Sequence, residues 1–128
     1  MFSATIGPLY TPRRVVDAIV AGDADAGPLD AWWHALLRRH EPKLAAQIVT
    51  MATTPPMPIP LMVCASGIDE RAQENLSSAF RRVADAAELA DVRTTLLLAG
   101  FAQPAAKHYQ SLVNAASDAD AVGYDRLR

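Results

Sequence analysis

The chain has 128 residues, the size of one ordinary domain; 51% are hydrophobic and only 6% aromatic. A formal net charge of −2 gives no electrostatic footing for nucleic acid or an anionic membrane surface as a partner. No apolar run reaches the ~18 residues of a membrane span, the single cysteine excludes an internal disulfide, and the first eight residues lack the basic leader and apolar run of a signal peptide, so the chain as written is expected to remain cytoplasmic.

In chain order, Thr11 is a good N-cap, Pro12 suits a first helical turn, and Gly22 stands where a left-handed residue ends a helix. Val15, Val16, Ile19 and Val20 form one apolar face of that helix, away from Arg13, Arg14 and Asp17. Ala24 to Leu29 reads as a short strand, ended or confined to an edge by Pro28, which has no N–H to donate. Asp30 then caps a helix running to about His40, with Trp33, Leu36 and Leu37 inward, and Pro42 closes the unit. Gln47 to Thr53 reads as a strand that is apolar on both faces.

Four prolines between Pro55 and Pro60 forbid a helix and leave the chain stiff, as in a joint between structural units. Leu61 to Ala65 resumes as a strand, and the remainder is helical. Asp69 to Ala87 lines up Ala72, Leu76, Phe80, Val83 and Ala87, and Glu88 to Ala99 uses Leu89, Val92, Leu96 and Leu97 before Gly100. A last helix starts at Pro104 with Tyr109, Leu112, Val113 and Ala116 inward. Strands in the first half and a helical tail predict an α/β class.

Chemistry is sparse. His34 and His40 are six residues apart, about 240° around a helix, so they cannot share a metal, and His108 stands alone. No nucleophile elbow, phosphate loop or carboxylate pair is present, and Cys64 has no neighbouring base, so it reads as a small buried hydrophobe. Neither catalysis, a metal nor a cofactor is expected. Two places could bind a solute. The helix start at Thr11 offers free N–H groups, the positive end of the helix dipole, a hydroxyl, and Arg13 and Arg14. An ordinary cap with two solvated arginines accounts for the same residues. Asp30 stands at the C-terminal end of the expected strand, where open α/β sheets bind ligands, although a plain N-cap needs no ligand. Trp33 reads as core, and Trp32 as cover for a surface or a cleft.

Five stretches in a fixed order carry a resemblance: Ala21-Gly22-Asp23-Ala24-Asp25, then Asp30, the proline-rich return into Leu61-Met62-Val63, Leu97-Leu98-Ala99-Gly100-Phe101, and the closing Gly123-Tyr124-Asp125-Arg126-Leu127. From Thr11 to Leu127 the chain resembles the C-terminal part of the phosphate/phosphite/phosphonate-binding receptors of ABC transporters, which are type II periplasmic binding proteins. The resemblance implies a partial two-lobed α/β fold. Residues 1–58 would be the remainder of the second lobe, and 59–128 the return crossing strand and the C-terminal helices of the first. It implies a periplasmic solute-binding component that recognises a small oxyanion, through Thr11, Arg13, Arg14 and Asp30, and serves an ABC permease. At the positions where such receptors carry a histidine and a serine, this chain has Pro12 and Val15, so either Arg13 and Arg14 substitute as anion contacts or the ligand is not a phosphonate. An effector-sensing domain of a transcriptional regulator, or a ligand-free truncated interaction module, are the alternative readings. Apolar faces left open by a missing lobe predict a homo-oligomer, with segments exchanged across Pro55–Pro60.

Overall fold

Thr11 and Gly22 bracket the first helix as their chemistry requires. Helix α1 spans Pro12–Ala21; the Thr11 hydroxyl accepts from the Arg14 amide, and Gly22 takes the left-handed conformation with φ of 80°. The Gly22 and Asp23 amides donate to Ile19 O and Ala18 O at 3.1 and 2.9 Å, which satisfies the carbonyls a helix end leaves free. A Cβ at residue 22 would meet no atom within 4 Å, so Gly22→Ala tests backbone conformation alone. It is expected to cost about 1 kcal/mol, read as a lower urea midpoint with an unchanged slope.

The computed structural model describes residues 4–58 and 61–123. These divide into two compact units, one ending at Thr53 and one running from Thr54 to Gly123. The expected joint, Thr53 to Pro60, starts at this division and leaves the described residues at Ile59 and Pro60. The closing Tyr124 to Leu127 also lies outside them.

In the first unit, α1 is followed by α2 (Ala31–His40) and α3 (Pro42–Ala45). Val16, Leu37 and Ala45, one from each helix, meet in a small core, with Leu29, Trp33, Leu44 and Ile48 packed against it. Val15 and Ile19 are half-buried and Val20 is exposed, so the buried edge of α1 is narrower than its apolar face. Ala18 is buried because the chain turns back over it, the Ala24 amide reaching Ala18 O at 3.3 Å. Residues 24–29 then pass so close to α1 that a Cβ on Gly27 would stand 2.6 Å from Val15 Cγ1. Arg38 and Arg39 lie in the last turn of α2, where cations complement the helix dipole.

The second unit holds α4 (Glu70–Arg82), a 3₁₀ turn at Ala87–Leu89, α5 (Ala90–Thr95), a second 3₁₀ turn at Ala106–Tyr109, and α6 (Gln110–Ala121). Asp69 caps α4 by accepting from the Ala72 amide at 2.9 Å. Phe80 meets Phe101 with ring centroids 4.9 Å apart and planes tilted by 56°, a favourable aromatic geometry. Arg93 donates to Val83 O and to Ala86 O, tying α5 to the turn that ends α4.

Several expectations are corrected. No strand occurs among the described residues: 24–29, 47–53 and 61–65 are irregular chain rather than the strands of an α/β sheet. A strand is stabilised by the ladder beside it, and these apolar segments have no ladder partner among the described residues. Val49 and Val63 are accordingly 82% and 86% exposed. Cys64 is exposed, not a buried hydrophobe. The helix expected from Asp69 to Ala87 stops at Arg82, where Arg93 takes up the carbonyls beyond its end. The helix expected to reach Ala99 stops at Thr95, because Leu97 turns left-handed with φ of 53° and the Leu98 amide closes back on Arg93 O at 2.9 Å. The last α-helix begins at Gln110 rather than Pro104, and its expected inward residues Leu112 and Val113 are exposed.

Candidate functional site

The start of α1 is built from four residues. Pro12 has no N–H, the Arg14 amide is taken by Thr11 Oγ1 at 3.3 Å, and the Val15 amide by Thr11 O at 3.3 Å. Among the described residues, that leaves the Arg13 amide as the first-turn N–H with no backbone or capping acceptor. The cap that orders this terminus therefore uses most of the donors that an anion would seek.

The two arginines differ sharply. Arg13 is engaged: its Nε donates to Asp17 Oδ1 at 3.0 Å, and its Nη1 donates to Glu41 Oε1 and Oε2 at 3.0 and 2.8 Å. The Asp17 hydrogen bond first, and then Glu41, raises its pKa above the ordinary arginine value, so this guanidinium stays cationic throughout the working pH range. Arg14 is exposed and has no carboxylate partner among the described residues.

Asp30 accepts from the Trp33 amide through Oδ1 at 2.7 Å, capping α2. Glu41 follows the other end of that ten-residue helix, and a helix rises about 1.5 Å per residue, so roughly 15 Å of α2 separates the two. With Arg13 drawn to Glu41, the structure brings Thr11, Arg13 and Arg14 together and leaves Asp30 at the opposite end of α2 from the Arg13 guanidinium. Arg38, Pro42, Ala45 and Ala46 line a shallow depression of about 230 Å³, open to solvent rather than enclosing. No group of three or more metal-ligating side chains occurs among the described residues.

Sequence reasoning missed both partners of Arg13. Asp17 was open to detection, since an arginine and an aspartate four residues apart share a helix face. Glu41 is 28 residues away, and no local pattern announces it.

The family comparison gives this helix-start geometry its context. Residues 2–109 match the family described as the phosphonate periplasmic substrate-binding protein of ABC transporters. The chain belongs to this family. No curated protein and no solved structure gives a significant match. The phosphonate-receptor family is periplasmic and serves transport, and no helix among the described residues is long and apolar enough to cross a membrane. The family match runs through both units, from the capped helix α1 to the 3₁₀ turn before α6.

Proposed function

We propose that the chain is a solute-binding component of an ABC importer and recognises a small oxyanion such as phosphate, phosphite or a phosphonate. The observation that carries this reading is the family match over residues 2–109, which includes a helix start furnished with Thr11, Arg13 and Arg14. In the proposed site the Arg13 amide and the Arg14 guanidinium receive the oxyanion, and Arg13 adds its charge once freed from Glu41. Asp30 accepts from an amine or hydroxyl of the solute. In keeping with a partial type II fold, residues 1–58 are the remainder of a second lobe and 59–128 the return crossing and closing helices of the first. The segments at 47–53 and 61–65 form strands once they find partners. Exposed Val49, Met51, Met62 and Val63 support association between copies, because covering such surface is favourable by about 25 cal/mol per Å². Light scattering at micromolar concentration is expected to show a dimer or larger, and a monodisperse monomer would refute that part.

Calorimetric titration with phosphate, methylphosphonate, 2-aminoethylphosphonate and sulfate tests the site. Affinity is expected to be about millimolar, since an open half-site cannot desolvate its ligand. Arg14→Ala should weaken phosphate binding about tenfold, as expected for loss of a charge-assisted contact. Asp30→Ala should weaken aminoalkylphosphonates and leave phosphate unchanged. Equal affinities in wild type and both variants would reduce these residues to a solvated charge and a helix cap.

A further inference from the structure

Arg13 is already in contact with anions, and both belong to the protein. Glu41 places both carboxylate oxygens within 3.0 Å of Nη1, and Asp17 holds Nε at 3.0 Å. Two carboxylates around one guanidinium leave this corner of the site net negative, so an incoming oxyanion meets repulsion where Arg13 by itself would attract it. Asp17 is on α1 and moves with Arg13. Glu41 belongs to the link between α2 and α3, and its side chain caps neither helix. It can leave Arg13 without unwinding either.

We propose that Glu41 is a built-in competitor that occupies Arg13 in the empty protein and must be displaced when the oxyanion binds, a conclusion that rests on the anion site proposed above. The pair is half exposed on both sides, 49% for each side chain. Exposed pairs of this kind contribute little, so the contact is strong enough to set a threshold and weak enough to be broken. Displacement also releases the side-chain tie between α1 and the α2–α3 link, and so couples ligand binding to the freedom of α1.

The test is titration of the 128-residue chain with inorganic phosphate in four forms: wild type, Glu41→Gln, Arg13→Gln and the double variant. Glu41→Gln keeps the shape and removes the charge, and its helical circular dichroism should match wild type. Its phosphate affinity is expected to rise about two- to fivefold, the scale of an exposed ion pair, and the gain should vanish in the Arg13→Gln background. Equal phosphate affinity in wild type and Glu41→Gln would overturn the competitor role and leave the anion site standing. A gain that persists without Arg13 would also overturn it, as a general charge effect. Absence of phosphate binding in all four forms would overturn the anion site itself and the competitor role with it.

Discussion

Leu37→Ala is expected to unfold the first unit. Leu37 is 4% exposed and joins Val16 and Ala45 in the core that, among the described residues, α1, α2 and α3 share. Truncating a buried leucine loses both its transfer free energy and the contacts around the cavity, about 2–5 kcal/mol in comparable sites. A unit of some fifty residues with so few buried side chains has little to lose, because small domains bury too little surface for a large margin. Both tryptophans lie in α2, so the loss is directly visible. Tryptophan emission should shift to the red in Leu37→Ala without added denaturant. Emission and urea midpoint matching wild type would show that the three-helix core does not hold this unit together.

Arg93→Met should have the second-largest effect, on the other unit. None of the described residues of the second unit is buried, so its order depends more on hydrogen bonds and partial apolar contacts. The Arg93 guanidinium serves two carbonyls, Val83 O and Ala86 O, at the turn that ends α4. Hydrogen bonds from a charged donor are worth about 1.5–3 kcal/mol each, and methionine keeps the length of the stem while removing them. The expected outcome is faster amide exchange through α4 and α5, with Leu98 among the sites affected because its amide closes on the Arg93 carbonyl. Unchanged protection there would assign the turn to the Phe80–Phe101 contact instead.

What could be read from residues alone was whatever local chemistry decides. Thr11 and Asp30 cap helices through their side chains and Gly22 ends one through its left-handed backbone, because a cap needs only the neighbouring three or four residues. The inward placement of Trp33 and Leu37 followed from spacing in the same way. Long-range partners were not legible. Nothing near Arg93 announces Val83 and Ala86, and nothing near Arg13 announces Glu41, yet those contacts decide where α4 ends and whether Arg13 is available. Leu97 is harder still, since a left-handed residue at a helix end is usually glycine and Gly100 lies three positions later. The strands failed for a related reason: a short apolar run marks a segment that suits a sheet, not the presence of neighbours to complete one. Of the proposed site, Thr11 and Asp30 were foreseen as caps, and the difference between Arg13 and Arg14 emerged only in three dimensions.

The exposed thiol of Cys64 has a practical consequence for any measurement of molecular mass. It is the one thiol in the chain, so every disulfide the protein can form on its own joins two chains. Air oxidation would therefore produce a covalent pair indistinguishable by light scattering from a pair held by apolar contact. Reductant dissolves the first and leaves the second. The same solitary thiol accepts a single maleimide dye, so one labelled position beside Val63 can report whether the 61–65 segment becomes protected when copies associate.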